Sequence, residues 1–184
     1  HGGSGDQTRA CREASYPTQG LVSPGTPGAI APDFDVRLLD GGYQELRDLV
    51  QPGGGIVVFF KTECETSELL LTHIGPLAQA LAREERVFVA IAQNPAAEVR
   101  AYLESHSLAF PIACEAPPYP ASRAYGIVTV PTLIMIDGAG RIAERLEGFV
   151  KSEILALGPA AEQALALGDI PSVLERPDEL PELK

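Results

Sequence analysis

The sequence predicts a three-layer α/β sandwich, in which a mixed central β-sheet carries helices on both faces. Short apolar runs rich in Val, Ile and Phe alternate along the chain with amphipathic stretches, which is the pattern of strands joined by crossover helices. An apolar run that ends in Asp-Gly-Ala-Gly adds a hairpin, and therefore antiparallel strands, at one side of the sheet. The length of 184 residues suits one domain with arms.

The elements of the first half follow from apolar spacing. Residues 33–39 alternate partly as a strand, and residues 45–50 predict a short helix. Residues 56–60 (Ile-Val-Val-Phe-Phe) predict a strand buried on both faces, and hence a central one. Residues 65–82 predict a helix with a kink at Pro76, because proline removes one backbone hydrogen bond.

In the second half, short apolar runs predict strands and amphipathic or Pro-initiated segments predict helices. The predicted strands are residues 87–92, 110–113, 132–136 and 141–146, and the predicted helices are a segment after Asn94-Pro95, residues 120–125 and residues 152–167. Because parallel strands joined by helices need cover on both faces, this order predicts helices above and below the sheet.

The two ends of the chain differ in composition from this core. Residues 1–5 (His-Gly-Gly-Ser-Gly) are typical of a tag remnant, and residues 1–29 as a whole predict a Gly- and Pro-rich arm. Residues 30–167 are the expected domain. Residues 168–184 hold three prolines among acidic residues and predict an extended acidic tail. A cytoplasmic location is slightly favoured, and the tag-like start leaves an exported form open.

Charge, hydropathy and cysteine count exclude several classes of function. The net charge of −11 repels phosphate backbones, so we expect no nucleic-acid partner. No apolar run approaches the ~20 residues that cross a bilayer, so we expect no membrane span. Three cysteines, Cys11, Cys64 and Cys114, are too few and too scattered for a disulfide-stapled scaffold or a structural zinc site. We therefore expect no metal and no cofactor.

Cys64 is the strongest candidate for chemistry because it lies between a predicted central strand and a predicted helix. The free N–H groups at a helix N-terminus stabilise a thiolate, and sites of α/β proteins form at the carboxyl ends of strands. The polar run of residues 61–67 (Lys-Thr-Glu-Cys-Glu-Thr-Ser) favours a functional thiol over a structural one. Glu63 and Glu65 oppose thiolate formation, whereas Lys61 supports it.

A proline opens the third apolar strand, in Val130-Pro131-Thr132. Proline is tolerated there because its missing N–H falls outside the hydrogen-bond ladder. From the sequence alone, a trans peptide bond before Pro131 is the default.

These segments, in this order, resemble the thioredoxin-like redoxins, which include the alkyl hydroperoxide reductase and thiol-specific antioxidant (AhpC/TSA) proteins and the thiol-disulfide oxidoreductases. The resemblance covers roughly residues 30–167 and is carried by residues 31–34, 38–42, 59–64, 125–132 and 136–142. It implies an oxidoreductase of thioredoxin-like fold with Cys64 as its nucleophile. It also implies that Val130-Pro131 is a cis-proline turn that packs beside Cys64 and binds the substrate.

Two departures from the family pattern bear on the mechanism. Thiol-disulfide members carry Cys-x-x-Cys, whereas this chain has Cys64-Glu-Thr-Ser67, and a serine cannot form a disulfide. Peroxiredoxins carry Pro-x-x-x-Thr-x-x-Cys, whereas here Lys61 stands where that threonine is expected and Thr62 lies one residue out of place. The predicted catalytic residues are Cys64, Ser67 and Thr62, and the predicted substrate-binding residues are Val130, Pro131 and Lys61.

Three functions stay open at this point. The leading hypothesis is thiol-disulfide exchange through Cys64 as a single thiol, with a thiol or disulfide protein or a small thiol as partner. An external thiol resolves the mixed disulfide, and Cys114 is the less favoured resolving residue. The second hypothesis is antioxidant, peroxiredoxin-like reduction of a hydroperoxide through Cys64. The third is a redox-inert binding module that has kept the thioredoxin fold without the second thiol.

Overall fold

The computed structural model describes residues 25–182 of the chain. The strands within this range are β1 (Asp35–Leu38), β2 (Tyr43–Glu45), β3 (Gly55–Phe60), β4 (Val87–Ala92), β5 (Ile112–Cys114), β6 (Thr132–Ile136) and β7 (Ile142–Glu147). The α-helices are α1 (Leu46–Val50), α2 (Glu65–His73), α3 (Gly75–Arg83), α4 (Ala96–Ser105), α5 (Pro120–Ala124), α6 (Lys151–Leu155) and α7 (Leu157–Ala164). A short 3-10 helix spans Pro177–Glu179.

The strands form one mixed sheet in the order β2-β1-β5-β4-β3-β6-β7. Strands β3, β4 and β5 run parallel, and β6 and β7 form the antiparallel hairpin at one side. All six residues of β3 are buried, which confirms the central strand that its apolar run predicts. Because β6 runs antiparallel to β3, with Phe59 opposite Thr132, the end of β3 meets the start of β6 at one edge of the sheet.

The sheet divides the apolar core into two layers. Along β3, Ile56, Val58 and Phe60 face one layer, while Val57 and Phe59 face the other, as the period of two in a strand requires. Helices α2, α3, α4, α6 and α7 contribute to the first layer, and α1 and α5 to the second. The predicted α/β sandwich with helices on both faces is therefore confirmed.

Two of the predicted helices are each divided in two. The segment of residues 65–82 breaks at Ile74 between α2 and α3, because Pro76 has no N–H to donate to the carbonyl four residues before it. The segment of residues 152–167 breaks at Ala156 between α6 and α7, and Pro159 lacks an N–H in the same way. Strand β2 is not predicted from the sequence, because it is a three-residue edge strand with one half-buried side chain and two exposed ones.

The acidic tail is not the extended arm that its composition predicts, because residues 168–182 pack against the first core layer. Its buried apolar side chains are Ile170, Val173, Leu174 and Leu180. The backbone is held as well, since the Leu77 N–H donates to the Val173 carbonyl at 3.3 Å and the Glu175 N–H to the His73 carbonyl at 2.8 Å. Burial of these apolar groups outweighs the tendency of the acidic and proline residues to stay in solvent.

Only the end of the predicted N-terminal arm falls within the described residues. There, Gly28 N–H donates to the Ile142 carbonyl at 2.8 Å and Ile142 N–H donates to the Ala29 carbonyl at 2.9 Å, so this stretch runs beside the start of β7. Residues 1–24, which include the tag-like segment and Cys11, lie outside the described residues. Among the helices of residues 25–182, none combines the length and the apolar character that crossing a membrane requires.

Candidate active site

Cys64 is the N-cap residue of α2, where the chain turns from the end of β3 into the helix. The Cys64 N–H donates to the Lys61 carbonyl at 3.2 Å, and the Cys64 carbonyl accepts the first helical hydrogen bond from Glu68 at 3.0 Å. Its sulfur is also the side-chain cap, since it accepts a hydrogen bond from the Ser67 N–H at 3.4 Å. The half-buried thiol therefore lies at a helix N-terminus, in contact with a backbone N–H.

The turn before β6 supplies the second contact of the Cys64 sulfur. The sulfur lies 3.7 Å from the carbonyl oxygen of Val130, to which the thiol can donate. The Val130–Pro131 peptide bond is cis, and β6 begins at the next residue. The structure thus brings Val130, 66 residues away along the chain, to the sulfur of Cys64 that the Ser67 N–H also contacts.

Ser67 occupies the position of the second thiol in a Cys-x-x-Cys motif. It lies in the first turn of α2 and is 0% exposed. Within residues 25–182 its hydroxyl oxygen is buried and has no hydrogen-bond partner, although its backbone N–H reaches the Cys64 sulfur. Its hydroxyl thus makes no hydrogen bond to the Cys64 sulfur.

Thr62 and Lys61 do not direct their side-chain polar groups to the thiol by any hydrogen bond in the described part of the chain. The Thr62 hydroxyl donates to the Glu63 carboxylate at 3.1 Å, and the Thr62 N–H donates to Asn94 Oδ1 at 3.0 Å. The half-buried Lys61 contributes its carbonyl to the Cys64 turn, and its ammonium charge lies close enough to help lower the pKa of Glu63.

Asn94 is a residue of this site that the sequence patterns above do not identify. It follows the buried strand β4, and its side chain lies beside the loop that precedes Cys64, bonded to Thr62 and Glu63. The signal that could find it is its place, because a polar residue directly after a buried parallel strand lies at the edge of the sheet where sites form.

The structure does not bring Cys114 to Cys64. Cys114 ends β5 and is buried, and burial raises its pKa, while Arg37 and Arg100 lower it to a smaller extent. Strand β4 lies between β5 and β3, whereas the Cys64 sulfur contacts the turn before β6, on the other side of β3. Both cysteines are free thiols.

A histidine joins the helix of Cys64 to its neighbour α4. His106 Nε2 lies 3.0 Å from the Glu68 carboxylate, and its ring stacks on Tyr102 with centroids 3.9 Å apart. The hydrogen bond with Glu68, followed by one with the Tyr102 carbonyl, raises the pKa of His106. Burial raises the pKa of Tyr102 to about 12. This contact fixes α2 against α4 without reaching the sulfur.

The sequence of the chain is similar to that of known proteins. The AhpC/TSA family model matches residues 27–145. The thiol-disulfide oxidoreductase ResA of Bacillus thuringiensis subsp. konkukian is 26% identical over 123 residues, which cover 66% of this chain and 69% of that protein. ResA of Geobacillus thermodenitrificans is 27% identical over 128 residues, or 68% of this chain and 72% of that protein.

Solved structures agree on the fold. A crystal structure from Chlorobium tepidum, of a protein assigned as the thiol:disulfide interchange protein DsbE, superposes with a TM-score of 0.69 at 21% identity. The superposition covers 76% of this chain and 98% of that one. At this level of identity the likeness establishes a thioredoxin-like fold.

Proposed function

The chain belongs to the AhpC/TSA family, and on this basis we propose that it is a thiol-disulfide exchange protein in which Cys64 acts as a single nucleophilic thiol. One observation carries the proposal. The Cys64 sulfur caps a helix N-terminus, accepts the Ser67 N–H at 3.4 Å and lies 3.7 Å from the Val130 carbonyl, while the position of a second thiol holds serine. The likeness to thiol-disulfide oxidoreductases adds support.

The proposed reaction has two exchange steps. The Cys64 thiolate attacks one sulfur of a partner disulfide, the partner S–S bond breaks, and its other sulfur leaves as a thiolate. An external thiolate then attacks the mixed disulfide, bonds to the partner sulfur and releases Cys64 as a thiolate. One disulfide is consumed and one is formed, so this chain undergoes no net oxidation or reduction.

The partner in this proposal is a thiol or disulfide protein, or a small thiol. A partner that reaches the Cys64 sulfur also meets the carbonyl of Val130, which can accept a hydrogen bond from the partner's backbone. Val130 and Pro131 therefore act as binding residues.

An external thiol is the resolving group that the geometry supports best. Ser67 has no sulfur, and Cys114 lies two strands away from β3 in the sheet. A disulfide needs Cα atoms within about 7 Å, and neighbouring strands already lie about 4.8 Å apart. Resolution by Cys114 would therefore require the backbone at this edge of the sheet to move.

Peroxide reduction has less support from the geometry. The Thr62 hydroxyl donates to Glu63 rather than to a position beside the sulfur. A redox-inert binding module agrees with the serine at position 67. It does not explain why a half-buried cysteine caps the N-terminus of α2.

The test uses, as the partner, a peptide whose cysteine is joined to glutathione by a disulfide bond. We expect the full chain to form a mixed disulfide at Cys64, identified by mass spectrometry, and to release it when free glutathione is added. Cys64→Ala should abolish the adduct and the exchange rate above background, and Cys114→Ala should preserve both. Cys114→Ala is the matched control because it removes a thiol of the same sheet edge.

Four results would count against the proposal. Exchange that survives Cys64→Ala would remove Cys64 from the reaction, and exchange lost in Cys114→Ala would make Cys114 the resolving thiol. Stopped-flow oxidation of Cys64 by hydrogen peroxide that outpaces exchange would favour peroxide reduction. Peptide capture at wild-type affinity by Cys64→Ala, without exchange in the wild type, would favour a binding module.

A further inference from the structure

The side chain of Asn94 links the ends of two strands at the edge where Cys64 lies. It is 5% exposed, and each of its polar atoms is bonded. Its Oδ1 accepts from the Thr62 N–H at 3.0 Å, and its Nδ2 donates to the Glu63 carboxylate at 2.9 Å and to the Glu98 carboxylate at 3.0 Å. A buried amide with this full set of partners fixes the loop directly before Cys64.

Glu63 and Glu65 are the acidic neighbours of the thiol along the chain, and Asn94 bonds the carboxylate of Glu63. The same carboxylate oxygen accepts from Asn94 and from the Thr62 hydroxyl. These hydrogen bonds, that of Asn94 first, lower the pKa of Glu63, with a smaller contribution from Lys61. Glu63 is therefore ionised at neutral pH, and its negative charge lies beside the Asn94 amide.

The partners of the Glu63 carboxylate and of the Cys64 sulfur lie on opposite sides of β3 in the sheet order. Asn94 follows β4 on one side of β3, whereas Val130 precedes β6 on the other side. The Glu63 carboxylate is bonded to Asn94, and the Cys64 sulfur lies 3.7 Å from the Val130 carbonyl. Two adjacent side chains thus diverge to opposite sides of the central strand. A carboxylate free to approach the sulfur would disfavour the thiolate.

We propose that Asn94 is a positioning residue for Cys64, which holds the Glu63 carboxylate on the β4 side and so preserves the reactivity of the thiol. The inference rests on the proposed function in taking Cys64 as the reacting group. The same side chain also accepts from the Thr62 N–H, so it is held in place by the backbone of the loop before Cys64.

Alkylation of Cys64 by iodoacetamide, a neutral reagent, tests the inference without requiring exchange activity. Asn94→Ala frees Glu63, and we expect the rate constant at Cys64, followed by peptide mapping, to fall about fivefold at low salt, the scale of one unit charge near the sulfur. The loss should shrink in about 1 M NaCl, because salt screens that charge. Gln93→Ala, which removes a neighbouring amide bonded to Ser122, should react within about twofold of wild type.

The decisive measurement is the coupling with Glu63. In a Glu63→Gln background we expect Asn94→Ala to change the alkylation rate by less than about twofold, because no charge is left to hold. An equal loss in both backgrounds, or no loss in either, would overturn the inference, since a purely structural effect does not depend on the charge at position 63.

A second variant covers the case in which Asn94→Ala does not fold. Asn94→Asp keeps an oxygen that accepts from the Thr62 N–H. It replaces the NH2 group that donates to Glu63 and Glu98 with a carboxylate oxygen, which repels both carboxylates. We expect slowing at least as large as for Asn94→Ala, relieved in part by Glu63→Gln, and unrelieved slowing would overturn the inference. The two proposals can fail separately. Exchange that survives Cys64→Ala, with the Asn94–Glu63 coupling present, would refute the proposed function alone. Exchange that depends on Cys64, with no such coupling, would refute this inference alone.

Discussion

Ser67 donates its backbone N–H to the sulfur of Cys64 at 3.4 Å, while its own hydroxyl is buried without a partner in the described residues. The backbone contact is the one a helix N-terminus offers to any capping group, and it does not depend on the side chain at position 67. In the proposed reaction the side chain matters at the mixed disulfide, because a serine at position 67 cannot displace the partner from Cys64 and resolution is left to an external thiol. The arrangement combines a sulfur that caps the helix with a serine that cannot form a disulfide.

A second thiol at position 67 is expected to form a disulfide with Cys64. Residues three apart in a helix are neighbours on one face, and the Ser67 N–H already lies 3.4 Å from the Cys64 sulfur. Ser67→Cys should therefore lose two hydrogen atoms on oxidation with oxidised dithiothreitol, as measured by mass spectrometry, and protect Cys64 from alkylation. Thr66→Cys is the control, because residues two apart do not face each other. Free thiols at both Cys64 and position 67 after oxidation of Ser67→Cys would contradict the geometry.

The buried hydroxyl of Ser67 is expected to cost stability. Ser67→Ala removes an unsatisfied polar group and adds a better helix former, so we expect the free energy of unfolding to rise by about 1 kcal/mol in urea. Ser122→Ala is the matched comparison. Its buried hydroxyl accepts from Gln93 at 2.6 Å and donates to Glu115, so we expect a loss of about 1–2 kcal/mol. A loss of stability in Ser67→Ala would mean that the hydroxyl has a partner.

Much of the fold can be predicted from local patterns. Residues 56–60, 87–92 and 132–136 predict their strands to within one residue, because a strand buried on both faces is a continuous apolar run bounded by turn residues. The helix breaks at Ile74 and Ala156 are harder to predict, since a proline near the start of a helix turn can mark either a kink or a new helix.

The candidate site is less predictable, because its contacts join distant segments. The contact of Cys64 with Val130 is expected from the resemblance to redoxins and not from the residues alone. The bonds of Asn94 to Thr62 and Glu63 depend on β3 and β4 being neighbours that end at one edge, and that pairing is a property of the whole sheet. The burial of the acidic tail likewise depends on an apolar surface built by residues far away in the chain.

The contact between His106 and Glu68 is expected to make stability depend on pH. The pKa of His106 is raised in the folded protein, chiefly by Glu68, so its contribution is full below the ordinary value of 6.5 and is lost as the pH rises through the raised value. We expect His106→Gln to lower the free energy of unfolding by about 0.5 kcal/mol near pH 5.5, as for a partly exposed ion pair, and by less near pH 9.

Titration of the His106 ring by NMR checks the same contact directly. Glu68→Gln should return the pKa of His106 toward 6.5, and its stability difference from wild type should track that of His106→Gln. A His106 pKa that Glu68→Gln leaves unchanged would mean that the carboxylate does not pair with the ring in solution.

Cys114 is expected to be the slower of the two described thiols. It is 5% exposed, and burial raises its pKa, so little thiolate is available to a reagent. We expect peptide mapping after iodoacetamide treatment to show alkylation of Cys114 at least about tenfold slower than that of Cys64, with the difference lost in urea. Equal rates in the folded protein would mean that β5 opens at this edge of the sheet.

The acidic tail is expected to be part of the folded core, and one leucine tests it. Leu174 is 1% exposed and packs in the layer that contains α3 and α7, so Leu174→Ala removes buried methyl groups and leaves a cavity. We expect the free energy of unfolding in urea to fall by about 2–4 kcal/mol. Leu155→Ala makes the same chemical change at a side chain that is 38% exposed, and should cost about 0.5 kcal/mol. Equal and small losses in the two variants would place the tail in solvent, because only a packed Leu174 leaves a cavity when truncated.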